Sequence, residues 1–147
     1  MIIRSMARSD ADRVAVLTGE LGYPATGEQI GRRFGRITGH PDEIVFVAED
    51  GGVVIAWLHV GVHGYLESDA FAEILGLVVA EGHRGRGIGH ALVIAAEQWA
   101  RSCGCATIRV RSRIARERAH AFYERDGFRR VKTQHCFEKT ISYDQAS

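Results

Sequence analysis

The chain has 147 residues, 46% of them hydrophobic and 25% charged, with only two prolines. That is the size and make-up of one ordinary globular domain, which argues against a two-domain enzyme and against a disordered segment. Nineteen Lys and Arg against 18 Asp and Glu leave a formal net charge of +1, far from the balance of a dedicated nucleic-acid binder.

In chain order, Met1 to Met6 reads as a short strand. Ser9 and Asp12 suggest a capping box for a helix with Ala11, Val14, Leu17 and Leu21 at helical spacing, stopped by Gly22-Tyr23-Pro24. Thr26 and Gln29 repeat the capping pattern, and Ile30, Phe34 and Ile37 mark a second amphipathic helix that ends near Gly39-His40-Pro41. Ile44 to Ala48 and Val53 to Val62 read as antiparallel strands joined at Asp50-Gly51-Gly52. After a polar loop, Gly64 to Asp69, the apolar run Phe71 to Val79 predicts a central strand. A helix follows from Ile88, with apolar positions at 88, 92, 95, 96 and 99 and a stop at Gly104. Ala106 to Ser112 is the next strand and Ala115 to Asp126 the next helix, carrying Ala119, Phe122 and Tyr123 and ending at Gly127. Two short strands, near Phe128 to Lys132 and Cys136 to Ile141, close a β-α-α-β-β-β-α-β-α-β-β order in one mixed α/β domain spanning residues 1–147.

Glycine is over-represented: 17 residues where average usage gives roughly 10. Four of them, Gly82, Gly85, Gly87 and Gly89, fall between the central strand and the long helix, in Val79-Ala80-Glu81-Gly82-His83-Arg84-Gly85-Arg86-Gly87-Ile88-Gly89-His90. Glycine admits positive φ and close backbone approach, and the first turn of a helix offers unpaired N–H groups at the positive end of its dipole. Together they make a cradle for phosphate or pyrophosphate, to which Arg84 and Arg86 add charge. A Walker A loop is excluded, because no Lys occurs before Lys132. A dinucleotide fingerprint is also excluded, because Gly85-x-Gly87-x-Gly89 has the wrong spacing and no parallel βαβ repeat accompanies it.

Arg84-x-x-Gly87-x-Gly89, between Leu77-Val78-Val79 and Ala91-Leu92, resembles the acyl-CoA pyrophosphate loop of the GCN5-related N-acetyltransferase (GNAT) family, Gln/Arg-x-x-Gly-x-Gly/Ala. Downstream, Ala119-His120-Ala121-Phe122-Tyr123-Glu124-Arg125-Asp126-Gly127-Phe128 is similar to that family's second signature, and the separation of the two motifs fits. Residues 71–130 carry these motifs.

The resemblance implies a twisted mixed sheet of about seven strands with four helices, splayed in the middle, with acetyl-CoA as cosubstrate and no metal. It implies main-chain contacts from Leu77, Val78 and Val79 to the pantetheine arm and acetyl carbonyl. Backbone groups of Arg84, Gly85, Arg86, Gly87, Ile88, Gly89 and His90 would hold the pyrophosphate. Tyr123 matches the tyrosine that similar enzymes place near the cofactor sulfur. A phenol of pKa about 10 protonates a thiolate of conjugate pKa about 8.5 only with help from the site; packing beside Phe122 is the other reading of Tyr123. The attacking amine must lose a proton, and Glu73 is the candidate base, since similar enzymes use a carboxylate on this strand. A carboxylate among Ile74, Leu75 and Leu77 is costly unless it faces a wet cleft, although an exposed strand start would also accommodate it. Glu67 and Asp69 are suited to attracting a cationic substrate. One departure is clear: the family commonly has an Asn between the fifth strand and the tyrosine helix, and this chain contains no Asn. Arg113 or Arg116 stands in that neighbourhood and could bind a CoA phosphate instead.

Other constellations carry less. His59 and His63 face the same way on one strand but lie about 13 Å apart at about 3.3 Å per residue, too far to chelate one ion. His120 shares a helical face with Tyr123. Cys103, Cys105 and Cys136 fit neither a disulfide framework nor a zinc site and read as reduced, partly buried thiols. Trp57 and Trp99 fit core patterns. No window approaches the roughly 18 apolar residues of a membrane span, and Met1-Ile2-Ile3-Arg4 does not open a signal peptide, so a cytoplasmic enzyme is expected.

The sequence therefore points to transfer of an acetyl group to a primary amine of a small molecule. Acetylation of a protein N-terminus or lysine, and a non-catalytic acyl-CoA-binding regulatory module, are the alternatives. Similar enzymes are often homodimers. Divided along the chain, the small net charge is a cancellation: residues 84–132 hold 12 basic and 4 acidic residues, the remainder 7 basic and 14 acidic. The positive part is the one assigned to the anionic cosubstrate, and the negative part contains the loops expected to meet a cationic amine.

Overall fold

A computed structural model describes residues 1–112 and 116–143. The chain divides into two compact units, Met1–Arg111 and Ser112–Ser147, each considered by itself.

The first unit is built on β1 (Ile2–Ser5), β2 (Glu43–Asp50), β3 (Val53–His63), β4 (Phe71–Val79) and β5 (Ile108–Val110), which form one sheet in chain order. β1 to β4 are antiparallel, and β5 joins β4 in parallel. The helices are α1 (Ala11–Glu20), α2 (Gly27–Thr38) and α3 (Ile88–Ser102). α3 packs across β1 to β4, whereas α1 lies on β3 and β4 and against α2. Leu17, Val47, Leu58, Val60, Leu92 and Val93 are fully buried where these layers meet, and burying each such side chain contributes about 1.5–3 kcal/mol.

Local signals explain most helix boundaries. The expected box at Thr26 forms: Gln29 N–H donates to Thr26 Oγ1 and Thr26 N–H to Gln29 Oε1, both at 3.0 Å. The box expected from Ser9 and Asp12 does not form. Asp10 takes over, because its carboxylate accepts from Ala7 N–H at 2.7 Å and from Arg4 at 2.8 and 3.0 Å. Those bonds, led by the Arg4 side chain, hold the Asp10 carboxyl below its ordinary pKa. The glycine excess also has a second location. Gly27, Gly31 and Gly35 recur every four residues along one line of α2. A Cβ at Gly27 would run into the Asp12 carboxylate of α1, and the Arg8 guanidinium lies 3.6 and 3.5 Å from where the Cβ atoms of Gly31 and Gly35 would stand. These glycines admit α1 and Arg8 to close packing, which periodicity of apolar residues does not report.

β4 determines the geometry of the site. It pairs with β3 along its length, with one irregularity between His59↔Gly76 and Val60↔Ile74 that makes Leu75 an extra residue. The Trp57 ring covers this region: a Cβ at Gly76 would come within 2.7 Å of it. Trp57 is half-buried, not a fully enclosed core residue. On the other side β4 pairs with β5 only at Ala72↔Ile108, Glu73↔Arg109 and Ile74↔Val110. β5 is thus shorter than the expected Ala106 to Ser112, and the sheet opens beyond Ile74.

The second unit contains α4 (Glu117–Arg125), with Tyr123 making edge-to-face ring contacts to Phe122 and Phe128 at 5.2 and 5.6 Å between centroids. Arg113 and Ala115 lie outside the described residues. The two expected closing strands are not found: residues 128–143 carry no strand, and Val131, Phe137, Ile141 and Tyr143 are exposed. A strand is defined by its ladder partner, and an alternating run without one is only extended chain. Five strands, not about seven, are therefore present among the described residues, and the mixed α/β class stands.

Candidate active site

The open edge of β4 follows from its hydrogen-bond parity. Ala80 N–H donates to Ile55 C=O at 2.8 Å, so in the antiparallel ladder Val78 and Gly76 also turn their main-chain groups to β3. Leu77 and Val79 turn theirs the other way, toward the side where β5 has ended. The Val79 carbonyl is reached there by Arg84 Nε at 3.3 Å. Val78 is buried and its side chain belongs to the core.

The glycine loop continues from this edge. Gly85 and Gly87 both have φ +78°, which L side chains rarely adopt, and among the described residues no atom beyond their own chain neighbours lies within 4 Å of where their Cβ atoms would be. Gly87 is the N-cap of α3, and the first helical bond runs from Ala91 N–H to Gly87 C=O at 3.0 Å. The main-chain N–H groups of Ile88, Gly89 and His90 thus precede the ladder at the positive end of a 15-residue helix. Arg84 and Arg86 are exposed. Arg86 is steadied by His83 Nδ1 at 3.0 Å and faces Asp50 at 3.9 Å. An unpaired strand edge running into an anion cradle with open space in front of its glycines fits the amide-bearing arm and pyrophosphate of an acyl-CoA.

Side chains dominate the other end of β4. Glu73 is only 7% exposed, so it is not at a solvated strand start. Its neighbours across the ladders are Gly61 and Arg109, and His63 stands opposite Phe71; paired residues share a face. Arg111 Nε lies 3.0 Å from Glu73 Oε1, and its Nη2 donates to the Tyr65 hydroxyl at 3.1 Å. Phe71 floors this cluster, with the rings of His63 and Tyr65 beside it and the Arg109 guanidinium 4.1 Å from its centroid. His63 Nε2 faces Glu73 Oε2 at 3.9 Å. His63, Tyr65 and Arg111 were not singled out for this site by the sequence. The signal that finds them is strand parity, and it becomes readable only once the register of β3, β4 and β5 is known.

In the second unit, burial pushes the Tyr123 hydroxyl above its ordinary pKa, with the charge of Arg116 acting in the opposite direction. Phe128 N–H donates to the Tyr123 carbonyl at 2.9 Å. Arg116 is exposed and precedes α4. The histidine pair of β3 is divided: His59 is held by Glu43 at 2.9 Å, while His63 faces Glu73. Cys103 and Cys136 are exposed, unlike the partly buried thiols expected. Among the described residues, no group of three or more His, Cys, Asp or Glu could hold a metal ion. Likewise, no helix there is long and apolar enough to cross a membrane.

The sequence profile of the acetyltransferase (GNAT) family matches residues 15–128. The chain belongs to that family. It is an acetyltransferase with acetyl-CoA as cosubstrate, consistent with the edge and cradle just described. No curated protein matches it in sequence. Among solved structures, the chain is similar to apo aminoglycoside antibiotic 6'-N-acetyltransferase from Acinetobacter haemolyticus, with 19% identity and a TM-score of 0.85 over 97% of this chain and 100% of the other. An aminoglycoside N-acetyltransferase in complex with CoA gives a TM-score of 0.86 at 19% identity, covering 95% of each chain. A transcriptional regulator from Bacillus halodurans gives 0.84 at 24% identity, over 94% of this chain and 99% of the other. At these identities the likeness is one of fold.

Proposed function

We propose that this acetyltransferase acts in the cytoplasm on a primary amine of a small molecule, by direct transfer from acetyl-CoA within a single domain spanning residues 1–147. The observation that carries the reading is Glu73: a buried carboxylate on the same strand whose open edge suits the cosubstrate. Leu77 and Val79, whose main-chain groups face the open edge, are assigned to the pantetheine and acetyl carbonyl; Val78, expected beside them, turns its main chain to β3 and its side chain to the core and is not. The segment Arg84, Gly85, Arg86, Gly87, Ile88, Gly89 and His90 is assigned to the pyrophosphate, and Arg116 to a CoA phosphate.

The amine arrives as an ammonium, which has no lone pair. Glu73 accepts one of its protons, directly or through a water, and the N–H electron pair stays on nitrogen. Nitrogen then bonds to the acetyl carbonyl carbon, the carbon–sulfur bond breaks, and its electron pair leaves with the CoA sulfur. Tyr123 is the proposed donor of the proton that this thiolate takes up. Its phenol is protonated at neutral pH, and because burial raises its pKa further the donation requires a compensating interaction with the phenolate that forms. The acidic Glu67 and Asp69 in the Gly64 to Asp69 loop favour a cationic acceptor.

Thiol release from acetyl-CoA, measured across amino sugars, polyamines, amino acids and peptides, tests the reading. Turnover of a small amine with formation of its N-acetyl product is expected. Turnover of peptides alone would favour protein acetylation, and acetyl-CoA binding without thiol release would favour a regulatory module.

A further inference from the structure

Arg109 on β5 and Arg111 just beyond it are two residues apart, so their side chains leave the same face of the sheet, the face that carries Glu73. Both residues are exposed, yet each is steadied on one side. Arg111 Nε stands 3.0 Å from Glu73 Oε1 and Nη2 donates to the Tyr65 hydroxyl, contacts that engage Nε and Nη2 but not Nη1. The Arg109 guanidinium is seated on the ring of Phe71, which is only 2% exposed. Arg109 stands opposite Glu73 in the ladder, but that carboxylate is engaged by Arg111, and Arg109 makes no ion pair among the described residues. Glu67 and Asp69, exposed in the nearby loop, pair with neither arginine there. Two guanidinium groups on positions about 7 Å apart, at about 3.3 Å per residue, are thus set against one carboxylate. The surplus positive charge repels a purely cationic acceptor and attracts an amine that carries its own anion. A guanidinium fork steadied by an aromatic ring is suited to a carboxylate.

We propose that Arg109 and Arg111 form the seat for a carboxylate of the acceptor, and that the acceptor is a free α-amino acid. Arg111 touches Glu73, so an ammonium offered to Glu73 and an anion offered to Arg111 are neighbours. In an α-amino acid one carbon separates those two groups. Charges then alternate from the Arg111 guanidinium to the Glu73 carboxylate, the substrate ammonium and the substrate carboxylate, which closes on the two arginines. Because both arginines are exposed, the carboxylate reaches them from solvent. The chemistry at nitrogen is unchanged: Glu73 takes a proton, the N–C bond forms, the C–S bond breaks, and its electron pair leaves with sulfur. The products are an N-acetyl amino acid and CoA. Arg109 acts as a specificity residue that holds the carboxylate and does not touch the reacting nitrogen. An α-amide, or the N-terminus of a peptide, lacks that carboxylate, so the same seat selects against protein acceptors. The assignment rests on the reading of the protein as an amine acetyltransferase with Glu73 as base.

The test compares the full-length wild type with Arg109→Gln and Arg109→Lys. Thiol release from acetyl-CoA is followed with the standard α-amino acids, with the α-amide of each, and with putrescine and glucosamine, which carry no anion. Melting temperature and the acetyl-CoA KM are recorded for each protein. In wild type, kcat/KM for the best amino acid should exceed that for its amide by about 10- to 100-fold. In Arg109→Gln that ratio should collapse toward one, and Arg109→Lys, which keeps the charge without the planar fork, should give an intermediate value. A wild-type ratio near one, or faster turnover of putrescine or glucosamine than of any amino acid, would overturn the assignment while leaving the amine acetyltransferase reading intact. An unchanged ratio in Arg109→Gln would overturn it as well. If wild type turns over no amine at all, the wider reading fails first and this assignment falls with it.

Discussion

At the C-terminal end of β4 the candidate binding groups are main-chain: the turned-out edge of Leu77 and Val79, the positive-φ Gly85 and Gly87, and the first N–H groups of α3. At its N-terminal end they are side chains gathered from separate elements: His63 from β3, Glu73 from β4, and Arg111 after β5, with Tyr65 from the intervening loop. A linear, amide-rich, doubly charged cosubstrate suits the first kind of site, because strand edges and helix N-termini recognise amides and phosphates whatever the side chains are. An acceptor amine needs a proton taken at one point, and only a placed side chain does that. On the proposed assignment, the cosubstrate half should tolerate sequence change wherever φ and hydrogen-bond parity survive, while the acceptor half should be sensitive to single atoms.

The largest effect that would separate the halves is expected from Glu73→Gln. Amine-dependent kcat should fall by about 10²- to 10⁴-fold while the acetyl-CoA dissociation constant, measured by calorimetry, stays within about twofold of wild type. An unchanged rate and an unchanged acidic limb of the pH–rate profile would remove Glu73 from the mechanism. Tyr123→Phe should lower kcat by about 10- to 100-fold, also with cosubstrate affinity nearly intact; an unaltered rate makes Tyr123 a packing residue. Gly87→Val attacks the opposite half. Its φ of +78° is strained for a β-branched residue by about 1–3 kcal/mol, so the melting temperature should drop and acetyl-CoA affinity fall about tenfold or more. Equal loss of amine affinity, measured in the absence of acetyl-CoA, would erase the separation.

Smaller effects sharpen it. Arg111→Leu leaves a buried carboxylate without its cation. Since the Arg111 side chain is 67% exposed, the destabilisation should be only about 1 kcal/mol, read by urea unfolding, with a larger proportional loss in amine turnover. His59, next along β3, gives the weakest signal, and it appears in stability. Burial lowers its pKa below the ordinary 6.5, with the Glu43 hydrogen bond acting the other way. A depressed histidine pKa means that the folded state holds its proton less tightly than the unfolded chain does. The associated stability is therefore present above pH 6.5 and lost as pH falls through the folded value. His59→Gln should flatten the melting-temperature profile below pH 6.5, and an unchanged slope there would contradict the burial argument.

The main-chain half was legible in the sequence because its signature is a local absence of side chains. Gly85, Gly87 and Gly89 stand together, and strand and helix patterns on either side place them. Glu73 was legible as a charge within an apolar run. Arg111 and His63 were not, because their proximity to Glu73 depends on the pairing Gly61↔Glu73↔Arg109 and on an irregularity near Leu75, which are non-local properties. The glycines of α2 went unnoticed for a related reason: they are defined by what packs onto them, Asp12 and Arg8, not by any pattern of apolar residues. The closing strands erred in the other direction, since alternation around Val131 and Phe137 suggested a ladder that residues 128–143 do not form.

The most direct measurement is thiol release from acetyl-CoA by wild type and Glu73→Gln in parallel, with a panel of small primary amines and with acetyl-CoA binding recorded for both proteins. Expected is N-acetylation of at least one small amine by wild type, its near abolition in Glu73→Gln, and equal acetyl-CoA affinity in the two. Binding without turnover in wild type, or full turnover in Glu73→Gln, would contradict the assignment of the two ends of β4 to cosubstrate and amine.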